Sequence, residues 1–193
     1  MKHQHLADFI RDYQNGDTEK TPEGILFPRK SALIYGHYIS TVNGRDRMVH
    51  PNLLPDAGIL RILNIAFGAQ AKESGFYLAL FAGAVDPVPG WTAANFAANS
   101  SENVSTSQGY ASATRPAWAP NVAAAGAIDN VGVESSFAIV ATTSITVNGA
   151  ALLSSSTRGG TGGTLFSAAR FAVPRTLYNG DNFGLGYRVT LVD

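Results

Sequence analysis

Apolar residues follow different spacings in successive stretches of this chain. Through residues 1–50 they are scattered without a sustained period of 2.0 or 3.6, and turn signals recur at Asn15-Gly16, Pro22, Gly24, Pro28 and Asn43-Gly44. Residues 1–51 therefore read as an extended arm ahead of a body at 52–193. One arm segment, Ala32-Leu33-Ile34-Tyr35-Gly36-His37-Tyr38-Ile39, is rich in β-formers and predicts a strand that pairs with the body or with a neighbouring chain. Helical spacing begins at Asp56, where Ile59, Ile62, Leu63 and Ala66 fall on one face and Phe67 borders it. Asp56 stands at the N-cap and Gly68 at the C′ position. The run Gly75-Phe76-Tyr77-Leu78-Ala79-Leu80-Phe81 predicts a strand buried on both faces, and Thr92 a cap for a short helix through Ala98.

Beyond Ser100, short alternating runs of Ser, Thr, Val, Ala and Phe are broken by Gly, Asn-Gly, Asp-Asn or Pro. Strands are expected at about 103–113, 125–129, 135–142, 144–153, 164–172 and 184–192. Asn148-Gly149 falls inside one of these and marks either a bulge or a turn that splits it. The expected architecture is mainly β: an antiparallel, jelly-roll-like β-sandwich with one or two short helices and an extended N-terminal arm.

Charge changes this picture through its distribution. Fourteen basic residues balance fourteen acidic ones among 193, which disfavours nucleic acid as a partner. Without cysteine there is no thiolate nucleophile, disulfide or cysteine-based metal site. No apolar stretch reaches the roughly 18 residues of a membrane span, and no secretory leader is evident, so a cytoplasmically made protein with no membrane partner is expected. Residues 1–50, however, hold 13 of the 28 charged residues and all four histidines, and no lysine follows Lys72. Residues 86–171 carry only Asp86, Glu102, Arg115, Asp129, Glu134, Arg158 and Arg170.

Catalytic and ligand motifs are sparse. His3-Gln4-His5 lacks a third metal ligand nearby, and His37 and His50 stand alone. Arg158-Gly159-Gly160-Thr161-Gly162-Gly163-Thr164 is glycine-rich, but it has no Gly-Lys-Ser/Thr ending and opens no helix, so it reads as a hairpin loop and not a phosphate cradle. No Gly-x-Ser-x-Gly elbow is present. A paired-carboxylate mechanism could draw on Asp86, Glu102, Asp129, Glu134 or Asp181, but each sits beside a turn or strand edge, where carboxylates cap, pair or solvate. The expectation is a non-enzyme with no cofactor and no metal. In Tyr110-Ala111-Ser112-Ala113-Thr114-Arg115-Pro116-Ala117-Trp118, Trp118 either fills the sandwich end while Arg115 pairs with a carboxylate, or both belong to a protein interface.

A body surface of small uncharged residues suits coverage by partners. In order along the chain, Asn52-Leu53-Leu54-Pro55-Asp56-Ala57-Gly58 with its helix, Phe76–Phe81, Arg115-Pro116-Ala117-Trp118, Gly126-Ala127-Ile128-Asp129-Asn130, Gly149-Ala150-Ala151-Leu152-Leu153, Ala169-Arg170-Phe171 and Gly180-Asp181 resemble the cement, or decoration, proteins of short-tailed phage heads. The resemblance covers residues 52–193. It implies a virion protein assembled in the host cytoplasm that binds the major capsid protein on the outer head surface as a homo-oligomer, a dimer at a symmetry axis. A tail or fibre module that binds host-surface glycan or receptor is the alternative. Candidate interface residues are Leu33, Ile34, Tyr35, Tyr38, Ile39, Arg45, Arg47, Arg115 and Trp118. With the arm as cross-link, removal of residues 1–50 is expected to leave the body folded.

Overall fold

The computed structural model describes residues 18–20, 26–28 and 33–192. The expected features at His3-Gln4-His5, Asn15-Gly16, Pro22 and Gly24 lie outside these residues. Two compact units are present, the larger spanning Tyr35–Thr190. In the smaller, β1 (Thr18–Lys20) and β2 (Leu26–Pro28) pair antiparallel with Thr18 opposite Pro28.

The larger unit is an antiparallel β-sandwich. One sheet has the order β10-β9-β5, from β5 (Tyr77–Phe81), β9 (Ser144–Leu153) and β10 (Leu165–Tyr178). The other has the order β4-β3-β11-β8-β6, from β3 (Leu33–Val42), β4 (Arg45–Pro51), β6 (Gly109–Tyr110), β8 (Ser135–Val140) and β11 (Asn182–Val192). A short β7 (Ala127–Asp129) also pairs with β11. Helices α1 (Asp56–Ala66) and α2 (Ala93–Ser100) complete the unit.

The arm's β-rich segment thus becomes β3, inside this chain's own sheet between β4 and β11. Asn43 and Gly44, with φ of 52° and 72°, turn β3 into β4, as a two-residue hairpin loop on a right-handed twist requires.

Alternation in the three-stranded sheet builds two apolar layers. Leu78, Leu80, Val147, Ala150 and Leu152 point between the sheets and meet Tyr38, Phe137, Phe183, Leu185 and Tyr187. Ala79, Phe81, Ala151 and Leu153 point outward against Trp91, Ala93 and Phe96. The sheet is therefore buried on both faces, as its continuous apolar run predicts. Asn148-Gly149 does not split β9. A Cβ on Gly149 would lie 2.1 Å from the Phe81 ring and 2.3 Å from the Ala169 carbonyl oxygen, so glycine is needed for close approach. The bulge reading holds instead: the register slips between Gly149 and Val147, opposite Arg170 and Arg175, with the extra residues on the partner strand. Pro174 lies in that stretch of an edge strand, where no ladder donor is lost, and β10 runs well past the expected end near 172.

Two further expectations are corrected. Of the strand expected at 103–113, only Gly109–Tyr110 is extended and paired; the remainder is loop held by side chains. The expected inward face of α1 is rotated: Gly58 is its buried residue, because the helix backbone lies close to β10. A Cβ at Gly58 would stand 2.8 Å from the Phe166 carbonyl oxygen. Asp56 is the first helical residue and Pro55 the N-cap. Since α1 is apolar almost all round, its periodicity could not choose the face.

Candidate functional site

The candidate interface residues separate by burial. Tyr38, Ile39, Arg115 and Trp118 are interior and have no face to offer a partner. Arg115 is held by Glu102 in a two-pronged pair, Nε to Oε1 and Nη2 to Oε2, both 2.7 Å, with both side chains fully buried. It also donates to the Ser155 carbonyl at 2.9 Å, while the Gly159 amide donates to Glu102 Oε2 at 2.9 Å. Trp118 Nε1 donates to Asn130 Oδ1 and the Tyr187 carbonyl. Tyr38 packs tilted against Tyr187 with ring centroids 4.6 Å apart, and its hydroxyl bonds Ser167 Oγ at 2.8 Å. Burial pushes the Tyr187 phenol up to about 12. Leu33 opens β3, whereas Ile34, Tyr35, Arg45 and Arg47 are exposed.

The glycine-rich loop joins β9 to β10. Arg158 lies 3.7 Å over the Tyr110 ring and donates to the carbonyls of Asn103, Ser105, Tyr110 and Ser112. A cation turned inward onto four carbonyls ties this loop to the 102–115 segment, the opposite of a phosphate cradle.

The five carboxylates considered for a paired mechanism are likewise engaged. Glu102 serves Arg115; Asp86 meets Arg170 at 3.1 Å and Asp129 meets Arg188 at 3.4 Å. Glu134 accepts from the Gly132 amide, and Asp181 from the Tyr178 amide and Asn43, which lowers its pKa. Among the described residues no three His, Asp or Glu side chains converge as a metal site, and no helix is long and apolar enough to cross a membrane.

One pair escaped sequence reading. Ser40 Oγ lies 2.9 Å from His50 Nε2, and the imidazole stacks on Phe171 at 3.9 Å. Both residues are buried, and the charged neighbour acting on His50 is Arg175, where a base would need a carboxylate. The pair is thus a structural hydrogen bond across the β3–β4 hairpin. Burial, helped by Arg175, lowers the His50 pKa from 6.5 to about 4. The unfolded chain takes up this proton near pH 6.5 and the folded chain only near 4. Stability from the neutral imidazole is complete above 6.5 and is lost as pH falls towards 4, by roughly 2–3 kcal/mol. Urea unfolding at pH 7 and 4.5 should show this loss, and His50→Gln should flatten it; an equal loss in both proteins would assign it elsewhere.

The surface features that stand out surround α1. Its outer face presents Ile59 (43% exposed), Leu60 (59%) and Leu63 (48%), and Phe67 just beyond its end is 88% exposed. These positions form one apolar stripe by i, i+4 spacing. Beneath the helix a cavity of about 460 Å³ opens towards the sandwich interior. Arg61 ties α1 to the loop beside the cavity mouth, with Nε 2.6 Å from Glu73 Oε1 and Nη2 donating to the Ala71 carbonyl at 2.9 Å. On the far edge of the other sheet, Arg45, Arg47 and Val49 alternate outward along β4. Burial and the nearby Arg188 and Arg47 lower the pKa of His37.

Compared with known proteins, the chain matches no family model and no curated protein.

Proposed function

We propose that this chain is a non-enzymatic structural protein of a phage virion, a decoration protein that docks on the outer head surface and braces the shell. The observation that carries the reading is the apolar stripe Ile59, Leu60, Leu63 and Phe67, exposed on a body with few charged side chains. Contiguous apolar surface of this kind marks an interaction face. A protein that binds only the assembled lattice stabilises it by mass action, and repeated symmetric contacts convert modest affinities into avidity. A two-fold dimer of the chain on the major capsid protein suits this role. The exposed Arg45 and Arg47 on β4 offer charge that can orient the chain on its partner.

The test is co-sedimentation with heads assembled from the same phage's major capsid protein, together with electron microscopy of virions. Saturable head binding is expected, and Phe67→Ser should weaken it about tenfold while leaving the melting temperature unchanged. Density for the chain on the tail instead of the head would replace this reading with the host-surface binding module.

A further inference from the structure

The cavity beneath α1 has the construction of a ligand site. Its walls are apolar side chains from both sheets and the helix, among them Ile62, Ile65, Phe76, Trp118, Phe166 and Tyr187. The polar atoms of the two amphipathic residues are already engaged: Trp118 Nε1 with Asn130 and the Tyr187 carbonyl, and the Tyr187 hydroxyl with Asn52 Nδ2 at 3.0 Å. The interior therefore presents ring faces and alkyl groups that ask nothing polar of an occupant. A volume of about 460 Å³ falls within the range of small-molecule sites.

Polarity is confined to the mouth, at Lys72, Glu73 and Ser74. Glu73 is neutralised by Arg61 at 2.6 Å, whereas Lys72 has no ion pair among the described residues, so the mouth carries a net positive charge. We propose that this cavity binds a single-chain carboxylate amphiphile, with the alkyl chain against the wall formed by Phe76, Trp118 and Phe166, whose rings pack edge-to-face on one another, and the carboxylate at Lys72. The inference is independent of the head-docking reading.

Dodecanoate is the probe, with dodecanol as the uncharged control. The chain has two tryptophans, and Trp91 packs in the outer cluster on the opposite side of the three-stranded sheet, so Trp118 reports on the cavity. Dodecanoate brominated at its terminal carbon should quench tryptophan fluorescence saturably, and the signal should persist in Trp91→Phe. Lys72→Met should weaken dodecanoate about fivefold and leave dodecanol unchanged. Ala66→Phe, at an exposed position on the cavity rim, should abolish binding of both; if that variant does not fold, the Lys72→Met comparison still decides. Absence of saturable quenching, equal dodecanoate affinity in Lys72→Met, or undiminished binding to a folded Ala66→Phe would each overturn the proposal. If no amphiphile binds and Ala66→Phe abolishes head binding, the cavity belongs to the docking face and only this proposal falls. Amphiphile binding without head binding gives the reverse result.

Discussion

Replacing Arg115 by Met is expected to destabilise the folded chain by about 3–5 kcal/mol, because Glu102 is then left as an uncompensated buried charge. The magnitude follows from the completeness of the pair. Two hydrogen bonds of 2.7 Å join side chains with no exposure, and the Ser155 carbonyl and Gly159 amide complete the network. Typical domains are stable by only about 5–15 kcal/mol, so this variant loses about a fifth or more of a typical total. Urea unfolding at pH 7 measures it. Arg115→Met combined with Glu102→Leu should recover much of the loss, since removing both charges removes the orphan. Recovery should be incomplete because Ser155 and Gly159 still lose their partners. A single-variant loss below about 1 kcal/mol would show that water reaches the pair and screens it.

Removal of residues 1–51 is expected to abolish folding of the sandwich, in contrast to the arm picture drawn from charge distribution. The deletion takes away β3 and β4, two strands of the larger sheet, and with them the buried Tyr38, Ile39, Ser40 and His50. It also strips β11 of its neighbour on one side and leaves Tyr187 without the Tyr38 ring packed against it. Burying each large side chain contributes about 1.5–3 kcal/mol, so the loss approaches or exceeds the whole stability of a typical domain. Far-UV circular dichroism and amide dispersion in a proton NMR spectrum should show an unfolded chain. A cooperative transition at the full-length melting temperature would place β3 outside the essential core.

Much of the body was legible because its signals are local. The run Tyr77–Phe81 has no polar alternation, and the structure buries it on both faces. The Asn43-Gly44 turn and the Thr92 helix start follow from backbone preferences that act within a few residues. The strands near 135–142, 144–153 and 184–192 stand where alternation and turn residues put them. The segment 103–113 misled because its Ser, Thr and Val content suits strand and side-chain-held loop equally. Arg158 and Arg115 decided for loop by hydrogen-bonding across forty or more residues of sequence.

The surface features around α1 were not legible at all. A helix with apolar residues on nearly every side carries no instruction about which side faces in; the close approach of Gly58 to Phe166 decided it and left Ile59, Leu63 and Phe67 outside. The cavity likewise arises where residues from 54 to 189 converge. The Ser40–His50 bond required the hairpin register that places Tyr38 opposite His50.

Sequence alone determined the class of this molecule: an antiparallel β-sandwich with one or two short helices, nearly uncharged over its central stretch. Those properties rest on alternation, turn chemistry and composition, which act within a few residues of each position. The tertiary structure alone decided that the polar N-terminal stretch supplies two strands of the sheet. It also decided that Arg115 and Trp118 face inward and that the apolar side of α1 faces outward. Each of those outcomes depends on contacts between segments far apart in the chain, where packing and pairing of buried charge outweigh local preference.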